Sequence, residues 1–299
     1  MTVNTPSGRG DTPPADADPL VPLASLPGVA DAVDGMRVAV DRVYGHRVMR
    51  RRSAEITAEA TLRGARGSAA LAGADWALEE IRRRSDFSTD REALVTGAAL
   101  RVSAEAGQLL DIWPASPLRV LARLHLVAAG GDRGSGGGAG GEVTAGTHGA
   151  VGRPRLVGER VDDVDGTGLP LPSVDEVAGR LDGLARLIVA GSAAPALVTA
   201  AVVHGELLAL RPFVSHNGLI ARAAERIVLI GGGLDPKSVA PAEVGHAELG
   251  AVAYREALAG YASGSGEGMS AWIAHCGKAV ELGARESVAV CEALQRGAA

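Results

Sequence analysis

The stretch His204-Gly205-Glu206-Leu207-Leu208-Ala209-Leu210-Arg211-Pro212-Phe213-Val214-Ser215-His216-Asn217-Gly218-Leu219-Ile220-Ala221-Arg222 carries most of the information in this chain. An apolar helical run ends near Leu210, a polar turn reverses the chain, and a new helix begins at Asn217. The first turn of that helix offers several backbone amides and the positive end of its dipole. A loop facing such a helix start is a natural anion site, and Gly218 lets a ligand approach the backbone closely. Arg222, about one turn along, can reach the same anion. His216 is the imidazole within the turn, and the residues around it favour a partly exposed turn histidine over a catalytic base.

Outward from this segment the pattern stays helical. Hydrophobic residues make up 46% of the 299, but aromatic residues only 3%. The interior must therefore be built from Ala, Val, Leu and Ile, small enough to let helices approach closely. Thr89-Asp90-Arg91-Glu92 and Ser173-Val174-Asp175-Glu176 have the form of capping boxes, and Ser116-Pro117 and Pro195 are further start signals. Helices are predicted from Thr89 to Leu110, Ser116 to Ala129, Ser173 to Ala190, Pro195 to Leu210, Asn217 to Ile230, Pro241 to Ala262 and Met269 to Gln295. Arg155 to Val164 alternates weakly and is predicted as a short β-hairpin. No alternation of strands with helices occurs, so the expected class is all-α with one small hairpin.

Three regions follow: a disordered tail over 1–22, an N-terminal helical region over 23–89, and a helical domain over 90–296. The last carries a Gly-rich loop at 130–152, which lacks the Gly-Lys-Ser/Thr ending of a phosphate loop. Net charge is −5, so there is no basic field for nucleic acid or an anionic membrane. The Arg50–Arg52 and Arg82–Arg84 runs read as solvated helix faces. No apolar stretch is long enough to span a bilayer, and Met1 to Pro19 is no signal peptide. A cytoplasmic, reduced protein is expected. Cys276 and Cys291, fifteen residues apart on one predicted helix, lie roughly 22 Å apart and cannot pair. His125, His246 and His275 show no metal-ligand spacing, so no metal site is expected.

The turn resembles the signature loop of the Fic family. That signature reads His, Pro, Phe, any residue, Asp or Glu, Gly, Asn, Gly, Arg, two residues, Arg; Pro212, Phe213, Asn217, Gly218 and Arg222 match it in register. His204 matches a histidine often found seven residues before the motif. Arg119 to His125, Gly152 to Arg155, Tyr254-Arg255-Glu256 and Trp272-Ile273 resemble further parts of the family's domain, so the resemblance covers roughly 90–280. It implies a Fic-like helical bundle with a hairpin flap that docks a target protein.

The departures bear on chemistry. The family's motif histidine removes a proton from a target hydroxyl, and here Arg211 stands in its place. A guanidinium stays protonated and is no general base. Arg211 reads equally as a ligand for phosphate or an acidic partner and as a solvated turn residue. Ser215 replaces the acid that holds Mg²⁺, His216 the first glycine and Leu219 the first arginine. Ser215 and His216 are not expected to act as a nucleophile pair, because adjacent side chains rarely face each other. Ser68-Ala69-Ala70-Leu71-Ala72-Gly73 resembles the family's inhibitory helix, with Ala72 where its glutamate pairs with the motif's last arginine. The resemblance therefore implies a degenerate Fic protein, impaired in AMP transfer, that binds a nucleotide, an anion or a protein partner. The alternative is a divergent but active AMP transferase with His216 as substitute base. ATP is the implied nucleotide, Mg²⁺ would bind weakly if at all, and a protein partner would dock near 153–164.

Overall fold

The computed structural model describes residues 18–130, 150–162 and 166–297. Within them the chain forms one short 3₁₀ helix, Val21–Ser25, and eleven α-helices. The N-terminal part comprises α1 (Val29–Gly45), α2 (Met49–Leu71) and α3 (Leu78–Arg83). Then come α4 (Arg91–Ala106), α5 (Pro117–Ala128), α6 (Val174–Ala190), α7 (Ala196–Leu210) and α8 (Asn217–Gly231). The chain closes with α9 (Ala242–Leu249), α10 (Ala251–Ala262) and α11 (Gly266–Gln295). Helix α11 packs along α1, α9, α10 and α7, while α7 and α8 form the antiparallel pair at the centre. Side chains on every side of α7 are buried, from Leu197 to Leu210, as befits a helix enclosed by others. Among the described residues no helix is long and apolar enough to cross a membrane.

Local chemistry sets the helix starts. Ser173 accepts a hydrogen bond from the Glu176 amide at 3.2 Å, as its capping box predicts. At the other predicted box the cap shifts by one residue: Asp90, not Thr89, accepts from the Ala93 amide at 2.9 Å. The segment predicted as one helix from Pro241 to Ala262 is divided at Gly250, whose φ of 91° no helix interior can adopt. The predicted tail also ends earlier than residue 22. Leu20 is buried, and the Asp18 carboxylate accepts from the Ala193 amide at 2.7 Å. Residues 1–17 and most of the Gly-rich loop lie outside the described residues.

The β-hairpin is not formed; no strand occurs among the described residues. Instead, Arg155–Asp162 crosses the 211–214 turn as a strap. The Arg155 amide donates to the Pro212 carbonyl at 2.7 Å and the Asp162 amide to the Val214 carbonyl at 2.8 Å. The weak alternation reflected a segment that bonds to a neighbouring loop rather than to itself.

Small residues let the helices touch backbone to backbone. A Cβ at Gly245 would lie 2.0 Å from the Ala279 carbonyl oxygen, where α9 meets α11. Gly245→Ala must separate these helices, so it should cost about 1–3 kcal/mol in urea unfolding. An unchanged midpoint would show that the crossing is not tight.

Candidate functional site

The loop between α7 and α8 is bounded by two residues in the left-handed region, Arg211 (φ 42°) and His216 (φ 61°). A non-glycine side chain there costs roughly 1–2 kcal/mol, so both positions favour glycine. Asn217 closes the loop on itself. Its Oδ1 accepts from the Phe213 amide at 2.9 Å and its Nδ2 donates to the Phe213 carbonyl at 2.8 Å. Phe213 is buried against the His125 ring, with centroids 4.4 Å apart. Gly218 and Leu219 are buried in the first turn of α8, which no side chain caps.

Arg211 is only 3% exposed, not a solvated turn residue. One terminal nitrogen donates to Thr167 Oγ1 at 2.7 Å and to the Leu169 carbonyl at 3.0 Å, and the other to the Pro170 carbonyl. Arg155 completes the joint by donating to the Arg211 carbonyl at 3.1 Å and to the Pro172 carbonyl. Burial, and secondarily the nearby Arg211 charge, lowers the Arg155 pKa. The Arg211 and Arg155 guanidinium groups thus tie the strap and the 166–172 segment to the end of α7.

Ser215 and His216 do face each other, contrary to the expectation for adjacent side chains. His216 Nδ1 lies 2.8 Å from Ser215 Oγ, and the His216 backbone is left-handed (φ 61°). A neutral hydroxyl engaged in this way is a poor ligand for a hard cation, so the loop residues do not fit Mg²⁺.

Arg222 and the Ser68 segment, distant in sequence, come together. Arg222 Nε donates to Ser68 Oγ at 2.8 Å and Nη2 to the Ser68 carbonyl at 3.0 Å, joining α8 to the end of α2. Arg222 is 1% exposed. Ala72 is also buried and Gly73 takes a φ of 90° just beyond the helix.

His125 supports the loop from α5. Its Nδ1 accepts from the Gly152 amide at 3.1 Å, which requires that nitrogen to be unprotonated. Burial, helped by His216, pushes its pKa down to about 4. The unfolded imidazole titrates near 6.5, so the unfolded state takes up the proton first as pH falls. The stabilisation from neutral His125 should be complete above about pH 6.5 and lost progressively down to about pH 4. Urea midpoints across this window should fall less steeply for His125→Gln; an identical slope would contradict the assignment.

A second cluster of titratable side chains has no counterpart in any sequence motif. His204, Glu225, His246 and Cys276, from α7, α8, α9 and α11, place their donor atoms within 4.8 Å of one another, and all four residues are buried. His246 Nε2 lies 3.0 Å from Glu225 Oε2, and His204 Nε2 lies 2.6 Å from the Tyr254 hydroxyl. His204 Nδ1 is 2.9 Å from the same Glu225 oxygen, but off the line of a good hydrogen bond. Burial opposes ionisation of Glu225, yet His204 and His246 outweigh it and hold the carboxyl low. Burial lowers the His204 pKa against the pull of Glu225, and burial followed by the Glu225 charge raises the Cys276 thiol. They are scattered between His204 and Cys276 with no local spacing, so no motif could reveal them.

The all-helical architecture, with the buried α7–α8 pair joined by a Pro-Phe turn, agrees with the Fic-like bundle that the sequence resemblance implies. Comparison with solved structures bears this out: the chain has the Fic fold. It is similar to a Fic family protein from Desulfovibrio desulfuricans G20, with 17% identity, a TM-score of 0.61, and coverage of 87% of this chain and 74% of that one. It is also similar to Fic-1 from C. elegans, at 14% identity and a TM-score of 0.59, covering 88% and 72% respectively. No protein-family model and no curated protein matches the sequence.

Proposed function

We propose that this Fic-fold chain has lost efficient AMP transfer and works as a binding module, with a protein partner as the favoured ligand and a nucleotide or other anion as the alternative. The observation that carries the first half is Arg211. A permanently protonated group stands where the fold family has its base, and its donors are engaged by Thr167, Leu169 and Pro170. Loss of a general base typically removes about 10²–10⁴-fold in rate. Arg222, which matches the motif's last arginine, is enclosed and bonded to Ser68. Partner binding is supported by the strap, which presents Leu156 and Val157 to solvent at 56% and 83% exposure, in the segment that the resemblance implies for target docking.

Thermal-shift titration with ATP and ADP, each with and without Mg²⁺, separates the ligands. A ligand bound only by the folded state raises the melting temperature, so a partner module should show no rise and a nucleotide module a saturable one. Robust transfer of labelled AMP to the chain itself or to lysate proteins would refute both. The contact between His216 and Ser215 favours one further reading, a divergent transferase using His216 as base. In that case His216→Ala should abolish transfer.

A further inference from the structure

We propose that His204, Glu225, His246 and Cys276 form a structural site for a divalent transition ion of the zinc class. This inference is independent of what the α7–α8 loop binds. Two imidazoles, a carboxylate and a thiol are the donor types such ions take, and four protein donors make a closed, structural site rather than a catalytic one.

The geometry points the same way. Bond lengths of about 2.0–2.3 Å put neighbouring ligand atoms roughly 3.3–3.8 Å apart around a tetrahedral ion, so the cluster needs only small side-chain shifts to close on one. The four donors already lie within 4.8 Å of one another, with His204 Nδ1 and His246 Nε2 at 2.9 and 3.0 Å from Glu225 Oε2. His204 Nδ1 and Glu225 Oε2 lie 2.9 Å apart, close enough for both to bind one ion. Glu225 Oε1 and His246 Nδ1 have no well-directed hydrogen-bond partner among the described residues. Tyr254, 2.6 Å from His204 Nε2, supplies the outer contact that fixes the orientation of a ligating imidazole.

Charge fits as well. A carboxylate and a thiolate balance a divalent ion, with both imidazoles neutral, so the filled site sums to zero inside a closed core. Loading releases the thiol proton to solvent. The ion would tie α7 and α8, which carry the loop, to α9 and α11.

Elemental analysis of the full chain, expressed in zinc-supplemented medium and washed with chelator in the folded state, tests this. The expected result is one zinc per chain, reduced several-fold in Cys276→Ser and in His246→Ala. If these variants fail to fold, cobalt replaces zinc during expression of the wild type. An intense thiolate-to-cobalt charge-transfer band is then expected, since Cys276 is the cysteine in the cluster and Cys291 lies four turns further along α11. A folded wild type that carries no metal and takes up neither ion on refolding would overturn the proposal. Stoichiometric metal that persists in folded Cys276→Ser/His246→Ala would overturn it too.

Discussion

Arg211→Ala should destabilise the chain by roughly 2–4 kcal/mol, far more than truncation of an exposed turn residue. The side chain donates to Thr167 Oγ1, the Leu169 carbonyl and the Pro170 carbonyl, and its removal leaves these acceptors in a largely buried place. Hydrogen bonds from a charged donor are each worth about 1.5–3 kcal/mol, offset by release of the ordered side chain. Lysine should not rescue, because one ammonium cannot span acceptors that a planar fork reaches together. The loss should also be local. Amide exchange at Arg155 and Asp162, which bond to the Pro212 and Val214 carbonyls, should accelerate before exchange in α11 does. A loss below about 0.5 kcal/mol with unchanged exchange would mean that Arg211 does not hold the strap.

A larger effect is expected at the junction of α2, α8 and α9. Arg226 Nη2 donates to Glu243 Oε2 at 2.9 Å and Nε approaches Oε1 at 2.9 Å, with side chains only 7% and 4% exposed. The second contact is ionic rather than a directed hydrogen bond, since the Nε–H points off the oxygen. Gly64 makes room for this pair: a Cβ there would lie 2.0 Å from Arg226 Nη2. Glu243→Ala strands a guanidinium in the core and should cost about 3–5 kcal/mol. Arg226→Met with Glu243→Leu removes both charges and should be much milder, because the pair's attraction largely offsets its desolvation. Urea unfolding of Arg226→Met, Glu243→Leu and the double variant measures the coupling. Equal losses in Glu243→Ala and in the double variant would show that packing, not the stranded charge, dominates.

The fold was legible wherever chemistry is local. The Ser173 cap, the start of α5 at Pro117, the α7–α8 reversal and the single long helix holding Cys276 and Cys291 all depend on residues within a turn of each other. The contact between Arg222 and Ser68 was foreshadowed only through the resemblance, which placed the 68–73 segment opposite the motif's last arginine. The hairpin failed because alternation reports a strand's two faces but not its hydrogen-bond partner; here the partner was the 211–214 turn. The break at Gly250 was missed because isolated glycines are tolerated within helices, and φ is not written in composition. The His204–Glu225–His246–Cys276 cluster was invisible for a different reason. Each member sits alone on its own helix, and only packing of four helices brings them together.

Incubating the wild type and an Arg211→His, Ser215→Asp, His216→Gly, Leu219→Arg variant with ATP labelled in its α-phosphate tests the account most directly. The wild type should label neither itself nor lysate proteins above background, while the restored base and metal ligand should raise transfer by about 10²-fold or more. Wild-type labelling as fast as the variant's would contradict the account, because Arg211 could then not be what silences the site.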